Sequence, residues 1–156
     1  MEAADRKPVI DIFNYFIENG FAAYREKKVG YDMFDRFLAM IGDFPAITIK
    51  SESGEIVGFA FFRPYHPAET FRSTAEVSYF ILPEHTGQGL GSLVLGYFET
   101  EARARGITVL LASISSLNAQ SIAFHRKHGF VECGRFRDIG MKRSRTFDMV
   151  WMQKKL

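Results

Sequence analysis

The sequence contains one cysteine, Cys133, five prolines and no long hydrophobic run. A single thiol cannot form an internal disulfide or a multi-cysteine zinc or iron–sulfur site, and it suits a reducing compartment. We expect Cys133 to be a buried packing residue. No segment approaches the roughly 18 apolar residues of a membrane helix, and charged residues stand near the amino terminus where a signal peptide has an apolar core. These absences predict a cytoplasmic protein without a membrane partner.

An excess of charge of one sign is also lacking. Twenty Lys and Arg face eighteen Asp and Glu, so the net charge is +2, too small for the electrostatic footprint of a nucleic-acid-binding protein. The histidines and the cysteine show no metal-ligand spacing, and we expect no metal. What the chain does have is 156 residues, 47% of them hydrophobic, and sixteen phenylalanines. This is enough for one domain over residues 1–156 with an aromatic core.

The hydrophobic pattern predicts both helices and strands. Apolar residues recur at helical spacing over 5–19 and 31–41, and each stretch is closed by a glycine. The elements that follow are strand 46–50, strand 56–62, strand 71–82, a helix after the Gly87–Ser92 turn, strand 107–114, helix 118–128, strand 130–133 and a final alternating strand. The predicted fold is α/β (α+β), with one mixed, mostly antiparallel central sheet flanked by about four helices.

The most informative segment is the turn Thr86-Gly-Gln-Gly-Leu-Gly-Ser92, between a strand and a helix. Such a turn presents free backbone N–H groups and the positive end of the helix dipole to an anion. A P-loop is excluded because no lysine lies between Lys50 and Lys127, and a dinucleotide fingerprint because its third glycine position falls on Ser92. A simple tight turn remains the structural alternative.

Two motifs together resemble a known family. The turn resembles the Arg/Gln-x-x-Gly-x-Gly/Ala signature of the GNAT superfamily of acyl-CoA-dependent N-acyltransferases, with Thr86 in place of Arg or Gln. About thirty residues further on, Asn118-x-x-Ser121-x-x-x-His125-x-x-x-Gly129-Phe130 resembles that superfamily's Asn-x-x-Ala-x-x-x-Tyr-x-x-x-Gly-Phe helix. Over nearly the whole chain the sequence is most similar to the phosphinothricin acetyltransferase branch, which resembles it at His125 as well.

The resemblance implies a GNAT fold and acetyl-CoA as co-substrate. The turn would bind the pyrophosphate, with weaker side-chain help from Thr86 than from Arg or Gln. Pantetheine would pair with the end of a strand that splays from its neighbour, where an N–H would also polarise the thioester carbonyl. The residues that the resemblance assigns to the co-substrate are Phe80, Ile81, Leu82, Thr86, Gly87, Gln88, Gly89, Leu90, Gly91, Ser92, Asn118 and Ser121.

Glu76 is the candidate general base. It is the only charged residue between Arg72 and Glu84, and it interrupts a largely apolar strand. A carboxylate there could take a proton from the attacking amine directly or through water, and the resemblance places a base at this point of the strand. The alternative is an ordinary solvent-facing strand residue.

The helix that begins near Asn118 carries a second cluster. At 100° per residue, Asn118, Ser121 and His125 share one helix face. His125 is the candidate general acid that protonates the departing thiolate, with a pKa near physiological pH. Each residue also has a structural alternative: an N-cap for Asn118, a first-turn hydroxyl for Ser121 and a packing residue for His125.

The implied reaction is direct acetyl transfer, without a covalent enzyme intermediate, to the primary amine of a small molecule such as an amino acid or a phosphinothricin-like analogue. The resemblance also allows a homodimer. We expect the acceptor pocket between the first two helices and the loops around Tyr31, 65–70 and 137–142, and a solvated hairpin turn at 142–145. A non-catalytic acyl-CoA-binding sensor on the same fold is the alternative. The chain begins at the first helix, so we expect the family's usual opening strand to be absent or replaced, which affects the edge of the sheet and not the active site.

Overall fold

The order of helices and strands follows the hydrophobic pattern closely. The computed structural model describes residues 1–156. Its elements are α1 (Arg6–Glu18), α2 (Met33–Ile41), β1 (Ala46–Lys50), β2 (Ile56–Pro64), β3 (Thr74–Ile81), α3 (Leu90–Ala104), β4 (Val109–Ser115), α4 (Ala119–Lys127), β5 (Val131–Lys142) and β6 (Arg145–Lys155). β3 starts later than predicted because Glu69–Phe71 forms a short 3₁₀ turn. No helix is long and apolar enough to cross a membrane.

All six strands form one sheet in the order β1-β2-β3-β4-β6-β5. Every neighbouring pair is antiparallel except β3 and β4. That parallel pair is short: its register runs from Thr74 opposite Val109 to Glu76 opposite Leu111 and then stops. The two central strands therefore part at Glu76 and leave a wedge in the sheet. The predicted mixed, mostly antiparallel sheet with splayed strands is confirmed.

The sheet separates two hydrophobic cores. One lies beneath α1 and α2 and is rich in phenylalanine, and the other lies beneath α3 and α4. β2 contributes to both because successive side chains of a strand point to opposite faces: Phe59 and Phe61 belong to the first core, and Ala60 and Phe62 to the second. Each fully buried phenylalanine stabilises the folded state by about 1.5–3 kcal/mol, so the two cores hold the sheet around the wedge in place.

The hairpin of β5 and β6 is longer than the sequence pattern predicts. β5 extends to Lys142 rather than ending near Cys133, and its register shifts twice. It is the edge strand of the sheet and nearly all its side chains are exposed, so it lacks the buried apolar positions by which strands are recognised. Cys133 is exposed, and the expectation of a buried cysteine was wrong because this edge has no covering layer.

The tip of that hairpin differs from the prediction as well. Arg143 and Ser144 form the expected two-residue turn, both with positive φ. Lys142 is not solvated: it is only 1% exposed. At the other edge of the sheet, β1 receives the amino group of Met1, which donates to the carbonyl of Ala46 at 2.7 Å.

Candidate active site

A cavity of about 550 Å³ occupies the wedge between β3 and β4. One end is formed by residues 85–92 and by α4, and the other by the end of α1 and the segment after it. The cavity therefore runs from the α3 and α4 side of the sheet to the α1 and α2 side. Two ligands entering from opposite faces would meet where the strands part.

The glycine-rich turn is built to expose backbone donors. Gly87 and Gly89 have φ of 76° and 83°, a left-handed conformation that glycine adopts without steric cost. This geometry turns the chain directly into α3, whose first intrahelical bond comes from the N–H of Leu93 to the carbonyl of Gly89. The N–H groups of the first three helical residues have no partner within the helix. All three residues line the cavity, and together with the helix dipole they fit a pyrophosphate.

The side chains of Thr86 and Gln88 stabilise the turn and bring no charge to the cavity. Thr86 donates its hydroxyl to the carbonyl of Pro83 at 2.7 Å, and the Gln88 amide donates to the carbonyl of Glu84. Gln88 does not line the cavity, so its predicted place in the site is limited to shaping the turn. The Thr86 hydroxyl is thus engaged by a backbone carbonyl, and anion binding by the backbone of the turn stays a prediction.

The packing of α3 against α4 also depends on a glycine. A Cβ at Gly91 would lie 3.0 Å from the ring of Phe124, so the missing side chain lets the two helices approach closely. The Ser92 hydroxyl donates to Nε2 of His128 at 2.8 Å, and Nδ1 of His128 donates to the carbonyl of Phe124. Sequence reasoning missed His128 and Lys127, which both line the cavity near the turn. The signal was available, since basic residues in the last turn of α4 lie beside the Gly-Phe motif.

The backbone of β3 requires a correction to the predicted contacts. The N–H of Leu82 donates to the carbonyl of Val57, and Leu82 does not line the cavity. Because the backbone groups of a strand point alternately to its two neighbours, those of Phe80 also face β2, opposite Phe59. The groups of Tyr79 and Ile81 point instead into the wedge, where no strand pairs with them. Of the predicted trio, Ile81 has backbone groups that face the wedge, Phe80 lines the cavity but pairs its backbone with β2, and Leu82 does not line the cavity. Tyr79, which the sequence did not single out, also faces the wedge, and the contacts with the co-substrate stay a prediction.

Glu76 lies at the vertex of the wedge, as the last residue of β3 that is paired with β4. It is only 6% exposed, which excludes a solvent-facing residue. The surroundings are less apolar than the sequence suggests, because Arg63 donates to Oε2 and Ser113 to Oε1, each at 2.5 Å. Ser113 lines the cavity whereas Glu76 does not. The carboxylate is therefore linked to the cavity by its hydrogen bond with the Ser113 hydroxyl.

Tyr24 completes this polar group from outside the sheet. Its hydroxyl donates to the carbonyl of Ser113 at 2.9 Å. Although 43% of the residue is exposed, burial of the hydroxyl end raises the pKa of Tyr24 to about 12, so the phenol stays protonated as a donor. The segment after α1 is thereby attached to the same serine that contacts Glu76.

The three predicted residues of α4 do lie together along the cavity. The Asn118 side chain accepts from the N–H of Ser121 at 3.2 Å, so Asn118 is an N-cap. His125 is 3% exposed, and Nδ1 lies 2.8 Å from the carbonyl of Ser121. A carbonyl only accepts, so Nδ1 carries the proton and Nε2 keeps its lone pair. Nε2 is buried without a partner.

This geometry does not provide the general acid expected of His125. Burial lowers the pKa of His125 below its ordinary value, and the hydrogen bond to Ser121 offsets this only in part. The imidazole is therefore neutral at pH 7, with its single proton directed at a backbone carbonyl rather than at the cavity. Three aromatic rings lie against the imidazole: Phe124 and Phe130 are edge to face with it, and Tyr79 is tilted at 5.8 Å between ring centroids. The packing role is the better description.

The end of the cavity beside α1 has a different lining from the predicted acceptor pocket. It is lined by aromatic and small residues of α1 and of the segment that follows, namely Tyr15, Phe16, Asn19, Gly20, Phe21, Ala22 and Tyr24. None of the loops around Tyr31, 65–70 and 137–142 lines it. These loops contain polar and aromatic residues of the kind that bind ligands, and only the tertiary structure places them elsewhere. The structure holds no group of three or more His, Cys, Asp or Glu side chains arranged to bind a metal ion.

Comparison with known proteins gives this geometry a context. Residues 10–130 match the model of the acetyltransferase (GNAT) family. The L-methionine sulfoximine/L-methionine sulfone acetyltransferase of Pseudomonas paraeruginosa is 34% identical over 157 residues, which cover 98% of this chain and 90% of that protein.

Two solved structures are similar over the whole chain. A GNAT phosphinothricin acetyltransferase from Sinorhizobium meliloti, in complex with acetyl-CoA, superposes with a TM-score of 0.93 at 29% identity, covering 100% of this chain and 85% of that one. A protein from Brucella melitensis described as a ribosomal-protein-alanine N-acetyltransferase gives a TM-score of 0.91 at 35% identity, covering 100% and 97%. The family match, these similarities and the anion-binding turn beside a splayed sheet agree, and the chain belongs to the GNAT family as an N-acetyltransferase.

Proposed function

We propose that this protein transfers the acetyl group of acetyl-CoA to the primary amine of a free amino acid or a close analogue, with Glu76 as the general base. The observation that carries the proposal is the position of Glu76 at the vertex of the wedge, hydrogen-bonded to a serine that lines the cavity. The far end of the same cavity is a cradle of backbone donors at the start of α3.

Different groups of the chain bind the co-substrate and transfer the proton. The N–H groups of residues 90–92 bind the pyrophosphate, and the free backbone groups of Tyr79 and Ile81 pair with the pantetheine and polarise the thioester carbonyl. The acceptor nitrogen attacks the carbonyl carbon, so that a C–N bond forms and the C–S bond breaks, with its electron pair leaving on the thiolate. One proton of the amine passes to Oγ of Ser113 while the serine proton passes to Glu76. Asn118 and Ser121 support this site as the cap and first turn of α4.

The proposed acceptor class rests on the relatives. One is named for L-methionine sulfoximine and L-methionine sulfone, and another, from Streptomyces coelicolor, is a phosphinothricin N-acetyltransferase, 26% identical over 97% of this chain and 91% of that protein. All three compounds carry an amine next to a carboxylate and a short polar side chain. The small residues and aromatic rings at the acceptor end suit a ligand of this size.

The test is a thiol-release assay with acetyl-CoA and a matched panel of amines. The panel contains L-methionine sulfone, L-methionine sulfoximine, phosphinothricin, the decarboxylated analogue of methionine sulfone, and a short peptide with an amino-terminal alanine. We expect turnover with the free amino acids and a lower kcat/KM without the carboxylate, because the compounds named for the relatives all carry a carboxylate beside the amine. Preference for the peptide would replace the proposed acceptor by a protein amino terminus. Binding of acetyl-CoA without turnover of any amine would favour the sensor.

We infer one domain over residues 1–156, a cytoplasmic location, and no nucleic acid, membrane or metal partner, on the basis of the small net charge and the single thiol. We also infer a homodimer that uses the edge strand β5, where Val131, Phe136, Ile139 and Met141 are 55–72% exposed. Sedimentation of the wild type and of Ile139→Lys tests this: a dimer that becomes a monomer supports it, and a monomeric wild type overturns it.

A further inference from the structure

The wall of the acceptor end is a segment with an unusual lack of main-chain support. From Gly20 to Val29, no residue donates or accepts a backbone–backbone hydrogen bond. Backbone groups need partners when they are buried. Residues 24–28 are exposed to water, but Ala23 is buried and Gly20–Ala22 are half-buried, so the first part of the segment depends on partners from side chains. Four of its residues, Gly20, Phe21, Ala22 and Tyr24, line the cavity. Whatever fixes the segment therefore fixes the shape of the acceptor site.

Lys142 supplies the main support. From the end of β5, its ammonium donates to the carbonyls of Gly20 and Ala23, each at 2.7 Å. The residue is 1% exposed, and long charged side chains are almost never buried so completely unless they are paired. Two carbonyl oxygens that converge on one buried ammonium define the path of the chain between them. The contacts span 122 and 119 residues of sequence.

Arg143 adds two bonds at the turn of the same hairpin. Its guanidinium donates to the carbonyl of Ile17 at 3.1 Å, and its backbone N–H donates to the Glu26 carboxylate at 3.0 Å. Ile17 lies in the last turn of α1, where carbonyls have no partner within the helix. Arg143 has φ of 52°, a conformation in which glycine or asparagine is usual. An arginine thus occupies this position at an unfavourable backbone angle.

The clamped segment is continuous with the catalytic group. Phe21 lies under the Arg145 guanidinium, 5.2 Å from the ring centroid, and Tyr24 stacks on Phe147 at 6.0 Å. The Tyr24 hydroxyl then reaches the carbonyl of Ser113. A chain of direct contacts thus leads from the hairpin to the serine beside Glu76.

We propose that Lys142 and Arg143 are positioning residues that hold residues 20–24 in the shape required to bind the amine acceptor, and so set the acceptor KM and selectivity. The proposal rests on the proposed function, in which the acceptor occupies this end of the cavity. Neither residue lines the cavity, so both act through the segment that they hold. The co-substrate end lies beyond their reach, and its properties should not depend on them.

The experiment measures steady-state kinetics and tryptic cleavage on Lys142→Met and Arg143→Ala. Lys155→Met and Arg137→Ala are the matched controls, since these exposed residues of the same two strands make no side-chain hydrogen bond or ion pair. We expect Lys142→Met to raise the acceptor KM at least about tenfold, as the loss of charged hydrogen bonds implies. The kcat and the KM for acetyl-CoA should stay within about twofold, since Tyr24 keeps its own contacts with Phe147 and Ser113 and the lost bonds contribute only to binding of the acceptor. The exposed Arg143 should give a smaller rise in a fully folded protein.

Tryptic cleavage reports on the clamp without reference to any acceptor, because Arg25, Lys27 and Lys28 all lie in the segment. The initial rate of cleavage there should increase in both variants and not in the controls. Unchanged cleavage overturns the clamp itself. Faster cleavage with an unchanged acceptor KM overturns the link to substrate binding. If no amine is acetylated by the wild type, the proposed function fails, while the cleavage result still decides whether the clamp exists.

Discussion

Replacement of Glu76 by glutamine tests the proposed chemistry most directly. The amide keeps the shape of the carboxylate: its oxygen can accept from Arg63, and its NH₂ can donate to the Ser113 hydroxyl in a reversed bond. Only the charge and the ability to take a proton are lost. General-base catalysis typically contributes about 10²–10⁴-fold, so we expect kcat to fall by that factor. The corresponding rise of the activation barrier is about 2.7–5.5 kcal/mol.

The folded state should tolerate this change. Arg63 loses its anionic partner, but 31% of its side chain is exposed, so water can solvate the guanidinium. We expect a loss of about 1–2 kcal/mol, below the range of a fully buried pair, because half of the hydrogen bonding is kept. For a chain of this length that is a decrease in Tm of about 2–8 °C. The KM for acetyl-CoA should not change, because the phosphate cradle is untouched.

The assay is thiol release at saturating acetyl-CoA and acceptor, repeated from pH 6 to 9. In the variant, the residual rate should rise with pH relative to the wild type, because only the unprotonated amine reacts when no base is present. Glu99→Gln is the matched control: Glu99 is also a largely buried carboxylate with a cationic partner, Lys154, at 2.6 Å, but it does not line the cavity. A Glu76→Gln enzyme that keeps at least a third of the wild-type kcat would refute the base assignment.

Three other predictions concern the cradle, the serine and the histidine. Acetyl-CoA at about 100 times its Kd should stabilise the wild type by about 2.7 kcal/mol. Gly89→Ala, strained at φ 83°, should lose at least half of that stabilisation in a thermal-shift titration, whereas Gly54→Ala, strained at φ 84° in a hairpin turn, should keep it. Ser113→Ala should lower kcat by about 10-fold or more through loss of the proton path, with an unchanged Tm profile for acetyl-CoA binding; an unaltered kcat would place Glu76 in direct contact with the amine. Burial depresses the folded-state pKa of His125, so its contribution to stability is complete above about pH 6.5 and is lost as pH falls toward the folded-state value, by up to about 1.4 kcal/mol per pH unit. Urea unfolding at pH 7.5, 6.5 and 5.5 should show this slope in the wild type and in the exposed control His66→Gln but not in His125→Gln, and a slope of equal size in His125→Gln would contradict it.

Local features of the chain could be predicted from the sequence because their physical causes are local. The turn at Gly87–Gly89 needs left-handed backbone angles next to a helix start, and glycine spacing reports this directly. The Asn118 cap follows from a side chain three residues before the N–H that it accepts. Expectations about strand contacts were weaker, because they depend on which residues lie opposite each other. The backbone groups of Leu82 point to β2 and those of Tyr79 point away from it, and only the register of β3 with β2 decides which side each residue faces.

Periodicity, glycine positions and a lone charge in an apolar strand are properties of neighbouring residues, so the sequence predicts the order of elements and proposes the glycine turn and Glu76 as candidates for the site. The tertiary structure alone decided the partners of that base, Arg63 and Ser113, which lie 13 and 37 residues away. It also decided that His125 is buried with Nδ1 against the carbonyl of Ser121, and that Lys142 is buried. The physical reason is that hydrogen bonding and burial depend on what packs from distant parts of the chain. A strand's pattern shows that a side chain points inward, and only the assembled sheet shows what it meets there.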